Sequence, residues 1–266
     1  MVEKYTLITG GSMGIGKALA FECASRGMNL LLVALPGNEL SETAAEIAEK
    51  HDVTIHILAI DLSEIEAPKQ VYKWCIDNNY NVSILINNAG MAGTSVFETS
   101  ELDYSDMRIL VNIRALVLLT RLFIPMLKTH PKSYVLNIGS QAAYFAIPYK
   151  AVYSASKAFV LRFTQALQLE LSETSISLCA VCPNGVETNS GTFSRIKAHG
   201  IMGRLTKIEA SDLARISIDA MLNGKTVLVP KTINRILLVC SKLIPNILEK
   251  RMLKRWFYRE VEVNGI

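Results

Sequence analysis

The 266-residue chain is half apolar and one-fifth charged, which supports a substantial core and excludes a globally disordered protein. With 28 Lys and Arg against 24 Asp and Glu, the net charge of +4 is too small to imply nucleic-acid binding. The excess is uneven: residues 230–266 hold eight basic and three acidic residues, so the rest is close to neutral.

Apolar, β-branched runs alternate with stretches of helical periodicity. The pattern predicts strands over 5–9, 29–34, 54–60, 83–87, 133–138, 176–182 and 226–229. It predicts helices over 15–26, 40–50, 67–78 and 153–171. Alternation at this spacing predicts right-handed crossovers and an α/β, single-domain Rossmann fold. Its doubly wound parallel sheet of about seven strands, with helices on both faces, spans residues 1–230. No linker or repeat divides the chain.

In chain order, the first strand runs into Thr9, Gly10, Gly11, Ser12, Met13, Gly14, Ile15 and Gly16. Glycines between a strand and a helix permit a tight turn and close backbone approach to a pyrophosphate, and the helix N-terminus favours anions. Asp61 and Leu62 end the third strand, where a carboxylate can accept from an adenine amino group. An ordinary helix cap is the competing reading for Asp61. Asn87, Asn88, Ala89 and Gly90 end the fourth strand, where small residues let the backbone lie beside a cofactor and amides pin neighbouring strands. Cys179 and Cys182 have CxxC spacing, but three residues along a strand point the thiols to opposite faces. No second pair completes a zinc site, so no metal is expected.

Tyr153 and Lys157 are four residues apart within a predicted helix and therefore share a face. An adjacent cation favours the phenolate, so the pair suits general acid/base work near neutrality.

Together these residues resemble the short-chain dehydrogenase/reductase family over about residues 3–230. The matching pieces are TGGSMGIG, Asp61, NNAG, Asn112, Ser140, YSASK and PNGVET, in the family's order. The resemblance implies hydride transfer between a nicotinamide cofactor and a carbonyl or alcohol. It assigns Tyr153 as proton donor and acceptor, and Ser140 as hydrogen-bond partner of the substrate oxygen. Lys157 would lower the Tyr153 pKa and hold the ribose, and Asn112 would position a relay water. Cofactor contacts are implied for Gly10, Ser12, Met13, Gly14, Ile15, Gly16, Asp61, Leu62, Asn88, Ala89, Gly90, Tyr153, Lys157, Pro183, Gly185, Val186 and Thr188. Asn184 stands where the family usually has glycine, and asparagine tolerates left-handed backbone.

Cofactor choice is usually set just after the second strand, where a carboxylate excludes the 2′-phosphate of NADP and arginine attracts it. Here Ala34, Leu35 and Pro36 do neither. Similar family members often carry arginine at the Leu35 position and use NADPH, so NADP(H) is expected, with NAD(H) as the alternative. Lys17 is either a phosphate neighbour or an ordinary solvated helix charge. Residues 187–208 resemble a substrate lid. Met91, Gln141, Ala142, Tyr144 and Tyr149 are expected to line the pocket, with no Lys or Arg placed to pair with a small acid. A lipophilic ketone, aldehyde or acyl substrate is therefore favoured.

Residues 231–266 form a basic amphipathic extension, read either as helix packed on its own domain or on a second subunit, or as helix lying at a membrane surface. No signal peptide is expected before the first strand. Five scattered cysteines, at 23, 75, 179, 182 and 240, suit a reducing cytoplasmic setting. The resemblance also implies a homodimer or homotetramer. Two other functions stay open: a non-catalytic nucleotide-binding redox sensor, and a membrane-docked interaction protein.

Overall fold

The computed structural model describes residues 3–187, 203, 205–241 and 243–264. Seven parallel strands form one sheet in the order β3-β2-β1-β4-β5-β6-β9. These are β1 (Tyr5–Thr9), β2 (Asn29–Ala34), β3 (Ile55–Ala59), β4 (Val82–Asn87), β5 (Ser133–Ile138), β6 (Ile176–Val181) and β9 (Val227–Leu228). Strands β1, β4 and β5 are buried along their whole length, which is why they read as unbroken apolar runs. A separate parallel pair joins β7 (Val186–Glu187) to β8 (Ile208–Glu209), and the Lys207–Glu187 ion pair of 2.7 Å ties the two.

Helices cover both faces of the sheet. On one side, α1 (Gly14–Ser25), α2 (Asn38–Lys50) and α7 (Ala210–Leu222) pack over a cluster containing Ile8, Leu32, Ile86 and Leu136. On the other, α3 (Ala67–Asp77) and α5 (Leu116–Leu127) cover Leu7, Leu31, Leu85 and Val135. Cys179 packs in the first cluster and Cys182 in a third, so the two thiols do diverge. All five cysteines are free.

The segment from α4 (Leu102–Ile109) through a π-helical turn (Leu110–Ala115) into α5 was not among the predicted helices. A π turn admits an extra residue and breaks the 3.6-residue period that announces a helix. By length and composition alone, Leu102–Leu127 is apolar enough to cross a membrane. Yet Leu119, Phe123 and Leu127 are buried against the sheet, as in the core helix of a globular fold.

The strand order reverses between β1 and β4, and the crevice that opens there is the expected ligand site of a doubly wound sheet. The C-terminal residues fold as α8 (Thr232–Ser241) and α9 (Asn246–Asn264) and close one side of that crevice.

Candidate active site

One cavity of about 1420 Å³ runs along the carboxyl ends of the strands. Its floor at β1 is built by glycine. Gly10 and Gly14 have φ of +66° and +55°, a conformation costly for other residues. Asn88 locks the loop from β4: its Nδ2 donates to the carbonyls of Thr9 at 2.9 Å and Gly10 at 3.0 Å. The Thr9 hydroxyl oxygen in turn accepts from the backbone N–H groups of Asn88 and Ala89, both at 3.0 Å. Further in, Asn87 donates to Thr120 and Asn137, and Asn137 to Thr164, stitching β4, β5 and the helices on either side. These buried amides fix the strand ends with little freedom, since each lost partner would leave an unpaired polar group.

Ser12, Met13, Gly14, Ile15 and Gly16 line the cavity where α1 begins, so its N-terminus offers backbone donors to an anion. Asp61 and Leu62 line it too. Asp61 Oδ1 accepts from both the backbone and hydroxyl of Ser63 at 2.8 Å, so it caps a local turn as well as facing the cavity. Lys17 belongs elsewhere: it pairs with Glu46 at 2.8 Å and is not a cavity residue.

Glu39 is a cavity residue that no local sequence signal announced. It lies in the first turn of α2 and lines the cavity beside Ala34, Leu35 and Pro36. Its Oε2 stands 2.6 Å from where a side chain on Gly37 would begin, so the carboxylate folds back over the residue that caps α2. A charge is therefore present where none was expected.

At the other end, Ser140, Tyr153 and Lys157 all face the cavity. Ser140 caps the short 3-10 turn Gln141–Tyr144 by accepting from the Ala142 N–H at 3.1 Å. Tyr153 and Lys157 lie on α6 (Ala151–Glu170), with the lysine Nζ 6.0 Å from the centre of the tyrosine ring. Lys157 is only 6% exposed and donates to the Ile138 carbonyl at 2.8 Å. Burial pushes its ammonium down to about 8, partly countered by Cys182.

Asn112 does not line the cavity. It sits in the π turn behind the wall, where Oδ1 accepts from Met91 N at 2.7 Å and Nδ2 donates to Met91 O and Ser156 Oγ. Its amide fixes the strand end that carries Gly90, which makes it a positioning group. Pro183, Asn184, Gly185 and Val186 line the cavity, and Asn184 avoids left-handed backbone, so no glycine is needed there. Thr188 and most of the expected lid lie outside the described residues.

Of the expected pocket residues, Met91, Gln141 and Ala142 line the cavity, whereas Tyr144 and Tyr149 do not. Two cations also stand where the sequence placed none. Lys150 is buried in the cavity wall, its Nζ 5.5 Å from the centre of the Phe257 ring. Arg108 is buried behind Gly93, with its guanidinium 4.2 Å from the centre of the Tyr104 ring. Neither was legible locally, because both depend on which loops fold over them.

The depressed Lys157 value carries a testable sign. Between about pH 8 and the ordinary lysine value of 10.5, the unfolded chain holds more protons at this site than the folded one. This group therefore adds stability as pH rises through that window. Relative to Lys157→Met, the wild-type protein should gain on the order of 3 kcal/mol across it in urea unfolding without nucleotide. Buried thiols not coupled to Lys157, at Cys23, Cys75 and Cys179, are raised to about 12, pull the other way in both proteins and cancel in the difference. Parallel profiles would show that Lys157 is not a buried, destabilised cation.

Comparison with known proteins agrees with this geometry. The short chain dehydrogenase profile matches residues 4–198. The NADP-dependent 3-hydroxy acid dehydrogenase of Schizosaccharomyces pombe is 30% identical over 239 residues, covering 86% of this chain and 91% of that protein. The very-long-chain 3-oxoacyl-CoA reductase of Bos taurus is 30% identical over 196 residues, covering 72% of this chain but only 62% of the reductase. A solved short-chain dehydrogenase from Sphingobium yanoikuyae, in complex with NADPH, superposes with a TM-score of 0.76 at 30% identity, over 87% of this chain and 89% of that one. Strand order, glycine loop and the Tyr153–Lys157 pair thus converge with these matches, and the chain belongs to the short chain dehydrogenase family of NAD(P)-dependent oxidoreductases.

Proposed function

We propose that the protein is an NADP(H)-dependent oxidoreductase that interconverts a carbonyl and an alcohol on a lipophilic ketone, aldehyde or acyl substrate, with Tyr153 as general acid/base. The observation that carries this reading is the meeting of the glycine loop, Ser140, Tyr153 and Lys157 on one cavity. The glycine cradle fits a dinucleotide: side chains at Gly10 or Gly16 would collide with Asn88. Gly10–Gly16 would hold the pyrophosphate, Asp61 and Leu62 the adenine end, and Lys157 and Val186 the nicotinamide end. When bound, the cofactor supplies or accepts the hydride.

The protein's own part is proton traffic and charge. Negative charge gathers on the substrate oxygen as a carbonyl is reduced, and prepositioned donors stabilise that charge most in the transition state. The Tyr153 hydroxyl donates the proton to this oxygen, and the Ser140 hydroxyl donates a hydrogen bond to it. The buried Lys157 ammonium favours the resulting phenolate. Asn112 keeps Gly90 and Met91 in place beside Lys157. Support for a lipophilic substrate comes from the apolar walls contributed by Val111, Ile147, Leu237 and Ile244, and from the acyl reductases among the relatives.

The NADP-dependent relative and the NADPH-bound neighbour favour NADP(H), while Glu39 opposes a 2′-phosphate. Titration of nicotinamide fluorescence with NADPH and NADH tests the choice. Tighter NADPH binding is expected, and Glu39→Gln should tighten it by about tenfold, equivalent to ~1.4 kcal/mol, with NADH unchanged. Preference for NADH would overturn the NADP(H) assignment. Binding of neither would replace the enzyme by a scaffold.

A further inference from the structure

The C-terminal helices separate two surroundings. Their inner side belongs to the cavity: Leu237, Ile244, Leu253 and Phe257 line it. The start of α8 is fastened next to Ser140, because Gln141 Nε2 donates to the Asn234 carbonyl at 3.1 Å. Asn234 Nδ2 donates to the carbonyls of Thr206 and Pro230. The extension is thus part of the substrate wall and not a loose tail.

Their outer side is apolar and uncovered. Ile236 and Val239 are 51% and 62% exposed and, three residues apart on α8, share a face; Leu243, 82% exposed, follows in the turn after the helix. Ile247 at 68% and Leu248 at 50% continue the exposed apolar residues into α9. Single exposed apolar residues need no explanation, but a run over consecutive turns marks an interaction surface. Exposed Arg235, Lys250, Arg251, Lys254 and Arg255 are interleaved with it.

We propose that this outer face docks on an anionic phospholipid bilayer, so that a lipophilic substrate passes from lipid into the cavity bounded by the same helices. The passage rests on the lipophilic-substrate reading above, whereas the docking does not. Charge selects the occupant. Residues 230–266 carry eight basic and three acidic residues. A second copy facing this surface would bring like charges together, while an anionic bilayer supplies the opposite sign. Apolar side chains at the acyl boundary, with Lys and Arg at the headgroups, are the pattern of a helix lying in the interface. The apolar helix Thr232–Ser241 is too short to span a bilayer, so the surface lies on the membrane.

Flotation of the full-length protein with phosphatidylcholine vesicles, with and without phosphatidylglycerol, tests the proposal. The protein should float only with the anionic vesicles and be released as salt is raised. The triple variant Ile236→Ser/Val239→Ser/Leu243→Ser should lose at least tenfold in vesicle affinity while keeping its NADPH affinity. Should that variant fail to fold, Arg251→Glu/Lys254→Glu provides the same test through charge. Failure of the wild type to float on anionic vesicles would overturn the proposal, as would undiminished flotation of the folded variants. A wild-type dimer that the triple variant converts to monomer would assign the face to a second copy and also overturn it. Flotation without any turnover would leave docking standing and remove the enzyme reading, so the two fail separately.

Discussion

Tyr153→Phe is expected to lower kcat by on the order of 1000-fold while NADPH affinity stays within about threefold of wild type. The substitution removes one hydroxyl and keeps the ring. The ring's contact with the Lys157 ammonium, 6.0 Å from its centre, is therefore retained, as is the lysine's bond to the Ile138 carbonyl. On the proposed mechanism, what disappears is the group that delivers the proton when charge develops on the substrate oxygen. A loss confined to kcat would mark an interaction made in the transition state, whereas a rise in KM alone would mark simple substrate contact. Ser140→Ala should cost less, about 10- to 100-fold, since it removes one hydrogen-bond donor and leaves proton transfer intact. Single-turnover kinetics with NADPH would separate chemistry from product release. Turnover within tenfold of wild type in Tyr153→Phe would exclude the tyrosine as the acid/base.

Much of this arrangement was legible in the sequence because it depends on local signals. Strands Tyr5–Thr9, Asn29–Ala34 and Ser133–Ile138 end where the apolar runs end. The glycine loop follows the first strand, and Tyr153 and Lys157 share a helical face in the structure as their spacing requires. What was not legible depends on distant segments. The π turn that buries Asn112 erased the helical period from its neighbourhood, so the long helical segment before β5 went unassigned. Glu39 was not legible because the usual determinant lies at residues 34–36, whereas here the first turn of α2 brings a carboxylate to the same cavity wall. Lys150 reaches the cavity only because the loop before α6 and the C-terminal helix α9 fold toward each other. For the extension, charge and apolar content announced an amphipathic segment, but composition cannot say which side would face the substrate.

The glycine loop offers the sharpest contrast between space and backbone conformation. A methyl group added at Gly16 would stand 2.5 Å from Asn88 Nδ2 and 2.7 Å from the Gly10 carbonyl carbon, closer still to the Gly10 oxygen. Two of these atoms are backbone, and Asn88 Nδ2 is held by its bonds to the Thr9 and Gly10 carbonyls. Asn88 would have to release the Thr9 and Gly10 carbonyls, and the loop would have to retreat from α1. Gly16→Ala should therefore destabilise the fold by about 1–3 kcal/mol through overpacking, before any loss of the asparagine bonds is counted. It should also weaken NADPH by at least ~30-fold, equivalent to about 2 kcal/mol. Gly27 provides the control: a side chain there meets nothing within 4 Å, but its φ of +72° lies in the left-handed region. Gly27→Ala should cost about 1 kcal/mol from backbone conformation alone and leave NADPH affinity unchanged. Urea unfolding and nucleotide titration of both variants would then divide the two causes. Normal cofactor binding by a folded Gly16→Ala protein would mean that the pyrophosphate does not rest on this loop.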